Sequence, residues 1–342
     1  MNNYGNFPFK LRSCVWEITL SCSFNCAYCG SRGGKARENE LTTEECLRVC
    51  RELAAMGCRR VSLIGGEVFM RKDWAVIAGE LTARDITTCI ITNGFSMNQE
   101  IINTLKEIGI ESIAVSLDGP ERVHDAYRMK GSYRKALACI QALVDAEIPV
   151  SVISALRKDN AGLLPELFET LKQYPIFAWQ IQACSPMGNA EDNGVETMFD
   201  PVPVMKFIAS VQGTVPFYLA AADNIGYFGP EETSIRARKG FHFGGCSAGL
   251  TTCGIDSVGN VRGCESMYDE RFTEGNLREK SLEEIWTDPD AFLYNRAFDE
   301  SLLTGKCASC PQGAYCAAGC RSYNFFTTGK LYENCLCPGG KG

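Results

Sequence analysis

Apolar residues along the first half of the chain fall into two rhythms. Short β-rich runs recur at 15–20, 61–64, 88–92, 112–117, 149–154 and 177–181. Longer amphipathic stretches alternate with them, at 43–56, 73–83, 98–108, 133–146 and 163–174, with the spacing of a helix that buries one face. Thr42-Thr43-Glu44-Glu45 and Ser132 have the side chains that open helices. Repeated strand–helix units predict a parallel sheet with right-handed crossovers. Six units are too few for a closed eight-fold barrel, which leaves a partial (β/α)6 TIM-like barrel or an open doubly wound sheet; the α/β partial barrel is the expectation carried forward. Either fold binds ligands at the carboxyl ends of its strands. The chemically suggestive residues lie there: the cysteines of 22–29, then Gly65-Gly66-Glu67, Asn93-Gly94 and Asp118-Gly119.

The rhythm breaks after residue 186. Residues 1–13 read as an N-terminal extension, 14–186 as the barrel and 187–240 as a bridge rich in Gly, Pro and Asn. From 241 to 342 segments are short, glycines frequent, and nine cysteines appear. A region with so little apolar mass needs metal clusters as staples.

Composition narrows the chemistry. With 45% hydrophobic and 22% charged residues the chain is an ordinary globular protein. A formal net charge of −7 excludes a general nucleic-acid binder, which needs a basic face. The N-terminus lacks a signal peptide and no run approaches the ~18–20 apolar residues of a membrane span, so a cytoplasmic location is expected, with no membrane partner. In a reducing compartment 19 cysteines point to metal rather than disulfides, and two histidines favour all-thiolate sites.

Two spacings stand out. Cys22-x3-Cys26-x2-Cys29 sits in a loop directly after a strand. Three thiolates on a four-iron cube leave one iron open to a substrate or cofactor; a zinc knuckle is the alternative, although no histidine lies nearby to complete it. Downstream, Cys307-x2-Cys310-x5-Cys316-x3-Cys320 is preceded by Cys246, Cys253 and Gly259-x4-Cys264 and followed by Cys335 and Cys337. A pair of zinc ribbons is the competing reading there. Cys14, Cys46, Cys50, Cys58, Cys89 and Cys139 read as small buried apolar residues. Cys184 reads the same way, with a second possibility as a hydrogen-atom donor.

The segment from Trp16 through Tyr28-Cys29 resembles the radical SAM superfamily, with its C-x3-C-x2-C loop and an aromatic before the third cysteine. The resemblance implies a 4Fe–4S cluster on Cys22, Cys26 and Cys29 that chelates S-adenosylmethionine and yields a 5′-deoxyadenosyl radical. It also implies that Gly65, Gly66 and Glu67 hold the methionine amino group, although Val68 stands where the family has proline. Tyr28, Asn93, Ser116 and Arg128 fall at family positions for cofactor contacts, with Asp118 nearer the substrate; for Arg128 a surface ion pair is the other reading. The C-terminal cysteines resemble the SPASM extension, which implies two auxiliary 4Fe–4S clusters, three in all. By position Cys246, Cys253, Cys264 and Cys320 would hold the first; Cys307, Cys310, Cys316 and Cys337 the second, with Cys335 as the fallback.

Abstraction leaves a carbon radical, and auxiliary clusters suit removal of its electron. Glu265, next to Cys264, is the candidate base by resemblance to sulfatase-maturating relatives, and Asp118 is the second. The resemblance implies oxidative modification or crosslinking of a peptide or protein. With only 13 residues before the core, a separate recognition protein is expected to present the substrate, and a flavodoxin- or ferredoxin-type protein to supply electrons. The alternative is a dehydrogenase or epimerase acting on a small molecule such as an aminocyclitol or sugar. A non-catalytic iron–sulfur electron carrier is more distant.

Overall fold

The computed structural model describes residues 8–236 and 243–339, so most of the expected extension and the boundary near 240 lie outside the described residues. The strands in chain order are β1 (Ser13–Thr19), β2 (Arg60–Gly65), β3 (Thr87–Thr92), β4 (Ser112–Ser116), β5 (Val150–Leu156), β6 (Ala178–Ala183), β7 (Tyr218–Ala221), β8 (Thr252–Ile255), β9 (Asn260–Arg262) and β10 (Gly275–Asn276). The first six match the expected runs to within two residues at each end. Helices α1 (Thr43–Ala55), α2 (Trp74–Thr82), α3 (Gln99–Ile108), α4 (Glu121–Tyr127), α5 (Ser132–Asp145) and α6 (Leu164–Leu171) lie between them.

Helix starts follow local hydrogen bonding. Thr42 accepts the Glu45 N–H while Glu45 accepts the Thr42 N–H, a capping box that opens α1. Helix α5 starts at Ser132, where the sequence placed a helix start. Its N-cap is Gly131, and Asp125 in α4 accepts N–H bonds from Gly131 (2.6 Å) and Tyr133 (2.8 Å).

The chain forms two compact units, with the division inside β4. In the first, which holds residues up to 25, 31–114 and 247–297, β1, β2 and β3 pair in parallel. Strand β8 pairs in parallel with the other side of β1, from Ser13 opposite Thr252 to Trp16 opposite Ile255; β9 and β10 follow antiparallel. Trp16, Leu53, Val61, Leu63, Ile77 and Ile90 fill its core. Residues 247–297 therefore pack with the N-terminal strands, and the linear division at 240 does not coincide with the compact units.

The second unit holds residues 26–30, 115–246 and 298 onward. Here β5, β6 and β7 pair in parallel. Its core includes Val152, Leu167, Trp179, Ile208 and Leu219, with Trp179 Nε1 donating to Ser154 Oγ at 2.9 Å. Among the described residues no helix is long and apolar enough to cross a membrane.

Candidate active site and cluster-binding residues

In the first unit β2 ends in Gly65-Gly66-Glu67. The N–H groups of Gly66 and Glu67 donate to the carbonyls of Thr19 (2.8 Å) and Ser21 (2.7 Å), drawing the turn against the end of β1. A Cβ on Gly66 would stand 2.3 Å from the Leu20 oxygen, so only glycine permits this approach. The Glu67 carboxylate is buried and accepts from Thr92 Oγ1 (2.8 Å) and from the Asn93 N–H (2.9 Å). Val68, in place of proline, continues into a short 3-10 turn capped by Glu67, so the glycine turn stands without it. Asn93 turns its Nδ2 toward Cys22 Sγ at 3.9 Å, and the Phe24 N–H donates to the same sulfur at 3.4 Å. Donors of this kind favour a thiolate.

The same unit places Glu265 in a buried charged group. Neither Glu265 oxygen has a hydrogen-bond partner among the described residues. Burial pushes its carboxyl well above the ordinary range, and Glu17 adds to the shift. Glu17 is itself buried, ion-paired with Arg37 and hydrogen-bonded to the Ser257 N–H at 3.3 Å. Arg262 pairs with Asp256 at 3.1 Å. Glu17 carried no expectation beyond lying in the resembling segment. The available signal was a charged residue inside an otherwise apolar strand.

Cys253 lies on a buried face of β8. A Cβ on Gly254 would stand 2.3–2.7 Å from the backbone of Cys264 and Glu265, so that face of β8 looks toward the Cys264 segment. Successive strand residues point to opposite faces, which turns Cys253 the other way. Its thiol meets Cys14, its register partner on β1, and burial with the neighbouring Cys253 and Cys58 raises the Cys14 thiol well above its ordinary value. Cys253 thus sits in a buried thiol group with Cys14 and Cys58. Cys246, Cys264 and Cys320 are each half-buried.

In the second unit, residues 26–30 are clamped by the expected bridge. Asn189 gives Nδ2 to the Cys26 carbonyl and its N–H to the Cys29 carbonyl, both at 2.9 Å. A Cβ on Gly188 would stand 2.2 Å from the Gly30 oxygen. The Tyr28 hydroxyl donates to Asp118 Oδ2, Arg128 Nε donates to the same oxygen at 2.6 Å, and the Ala155 N–H donates to Oδ1 at 2.9 Å. Burial alone would raise the Asp118 carboxyl, but the Arg128 charge, with His124 and the Tyr28 hydroxyl, holds it well below the usual range. Asp118 is therefore engaged on both oxygens, and Arg128 forms a buried pair rather than a surface one. Ser116 is half-buried at the end of β4.

Arg157 completes this network and carried no expectation. It is fully buried, paired with Asp159 at 3.1 Å, and its guanidinium lies 4.4 Å and 4.1 Å from the Tyr28 and Tyr127 ring centroids. Its position just after β5 is the signal that would have found it, because ligands gather at strand ends. Cys184 is buried against the Tyr28 carbonyl, and burial pushes its thiol up to about 12, as expected of a small core residue.

Four cysteines of this unit, Cys307, Cys310, Cys316 and Cys337, line one cavity together with Tyr227, Lys306 and Asn334. The Asn334 N–H points at Cys307 Sγ at 3.4 Å, and Lys306 Nζ donates to the carbonyls of Cys335 (3.1 Å) and Cys337 (2.6 Å). Cys335 is exposed and does not line the cavity. Four thiols around one enclosed space are a donor set that fits a four-iron cube.

The radical SAM superfamily signature matches residues 16–172, and that of the SPASM iron–sulfur cluster-binding domain matches 246–311. The chain is 28% identical to an AdoMet-dependent heme synthase of Methanosarcina barkeri, over 96% of this chain and 97% of that protein. It is also 28% identical to the mycofactocin maturase MftC of Mycobacterium ulcerans, over 92% of this chain and 84% of that protein. Among solved structures, Streptococcus suis SuiB bound to S-adenosylmethionine superposes with a TM-score of 0.78 at 18% identity, covering 97% of this chain and 78% of that one.

Proposed function

The chain belongs to the radical SAM superfamily and carries a SPASM domain, and from that premise we propose that this enzyme oxidatively modifies a peptide or protein. Cys22, Cys26 and Cys29 would hold a cluster at which bound S-adenosylmethionine would supply a 5′-deoxyadenosyl radical for hydrogen-atom abstraction. The chain's own residues prepare for that event. Glu67 and the glycine turn fix the end of β2. Asp118, Arg128 and Tyr28 hold the segment between Cys26 and Cys29. Glu265, with neither oxygen engaged, is the proposed acceptor of the proton that the substrate releases.

The observation that carries an oxidative outcome is the four-thiol cavity. Cys307, Cys310, Cys316 and Cys337 would hold a redox centre, which would give the substrate electron a destination. A further cluster on Cys246, Cys264 and Cys320 would bring the total to three. Likeness to the mycofactocin maturase supports a peptide substrate. Likeness to the heme synthase, across nearly its whole length, favours a second reading in which a small molecule is oxidised.

Anaerobic reconstitution with iron, sulfide, S-adenosylmethionine and a flavodoxin-type reductant tests the first step. Release of 5′-deoxyadenosine is expected, and Cys22→Ala should abolish it. Candidate peptides should then lose two hydrogens. Turnover of porphyrin-type molecules with none on peptides would overturn the peptide reading, and bound zinc in place of iron would overturn both.

A further inference from the structure

Tyr227 touches the loops of both expected auxiliary clusters from within one unit. It is buried, lines the cavity that Cys307, Cys310, Cys316 and Cys337 also line, and packs in one apolar cluster with Cys316 and Cys337. Its hydroxyl accepts the N–H of Cys320 at 3.2 Å and donates to the Asp223 carbonyl. Its own carbonyl lies 3.6 Å from Cys337 Sγ.

Independent features show that this placement is built. A Cβ on Gly319, the residue before Cys320, would stand 2.7 Å from the Tyr227 ring, and one on Gly339 would stand 2.8 Å from its carbonyl oxygen. Tyr227 and Phe228 both hold positive φ, +140° and +51°, a conformation that side chains other than glycine adopt only when surroundings impose it. Phe243 packs at 4.8 Å between ring centroids, and Arg236, paired with Glu232 at 2.8 Å, lies 5.8 Å from the Tyr227 ring centroid.

We propose that Tyr227 is a positioning residue shared by the two auxiliary clusters: its ring shapes the Cys307/Cys310/Cys316/Cys337 site, and its hydroxyl fixes the amide of Cys320. This rests on the auxiliary-cluster reading above. N–H groups directed at cluster sulfurs raise reduction potential. By accepting the Cys320 N–H, the tyrosine oxygen keeps that donor away from sulfur. The two functions sit on different atoms of one side chain and can be removed separately.

The test is an EPR-monitored redox titration of the anaerobic holoenzyme, with iron counted per chain. Tyr227→Phe keeps the ring and frees the Cys320 N–H; the cluster that includes Cys320 should move to a more positive potential while the cavity cluster keeps its signal. Tyr227→Ala should lose iron from the cavity cluster as well. A Phe variant whose two auxiliary potentials match the parent, or an Ala variant that retains all its iron, would overturn the proposal. A parent chain binding iron only at Cys22, Cys26 and Cys29 would instead overturn the auxiliary-cluster reading, and this inference with it.

Discussion

Each unit buries a carboxylate, and the two could hardly be treated more differently. Asp118 receives donors on both oxygens, from Tyr28, Arg128 and the Ala155 backbone, and is held well below the usual acid range. Glu265 is as thoroughly buried, has no donor on either oxygen, and is pushed the opposite way. Burial is common to both, so the partners decide the outcome. A carboxylate whose lone pairs are all taken can position its neighbours but has little left for a proton. One with none taken, in a buried site, is held in its protonated form. Both remain proposed proton acceptors, and a carboxyl that burial holds in its neutral form must lose its proton before it can take one from a substrate.

The contrast is broken most forcefully at Glu265. Glu265→Gln keeps the shape and removes the proton acceptor; product formation should fall by about 10²–10⁴-fold while 5′-deoxyadenosine release persists, read by chromatography of both products. An equal loss of both would mean that Glu265 serves the cluster and not the substrate. Asp118→Asn should act on stability, because it leaves Arg128 buried without its counter-charge. A loss of about 3–5 kcal/mol is expected in anaerobic thermal unfolding.

His124 sharpens the comparison through pH. Its Nδ1 accepts the Asp118 N–H at 3.2 Å, and burial with the nearby Arg128 charge holds the imidazole down to about 4. The unfolded chain takes up this proton first, near the ordinary histidine value of about 6.5, so stability is full above that pH and falls as pH drops toward 4. The loss should approach about 3 kcal/mol, because each pH unit across that window removes ~1.4 kcal/mol. His124→Asn retains an acceptor without titrating in this window; its acid limb should be flatter. The smallest effect belongs to a carboxylate paired near the surface. Glu45 meets Arg278 at 2.7 Å with both side chains partly exposed. Glu45→Gln preserves the capping box and should cost at most about 1 kcal/mol by the same unfolding measurement.

Much of this was legible in sequence wherever one residue's local pattern decided the outcome. Strand and helix periods located six strands and five helices, and Thr42 with Glu45 announced α1. Glycine at 65 and 66 marked the turn that only glycine allows. What stayed hidden depended on partners far along the chain. Ser132 opens α5 as expected, but Asp125 of the preceding helix, which accepts the Gly131 and Tyr133 N–H groups, gave no local sign of doing so. Cysteine spacing could not assign Cys253, since ligand or core is decided by which face of β8 the thiol takes. Arg157 and Tyr227 were missed for a related reason. An isolated arginine or tyrosine gives no sign of burial until the rings and loops around it are in place. The short strands β7 to β10 lack the length that makes alternation visible.

The late arrival of β8 bears on how the protein is made. Strand β1 is complete at Thr19, but its parallel neighbour is not finished until Ile255 has been added. Until then one edge of β1 presents unpaired backbone donors and acceptors, the kind of edge that invites pairing with another chain. Nascent or truncated forms ending before that point should be the most prone to stick to one another or to need a chaperone. Expression trials that shorten the chain to isolate its N-terminal half would remove the strand that closes it.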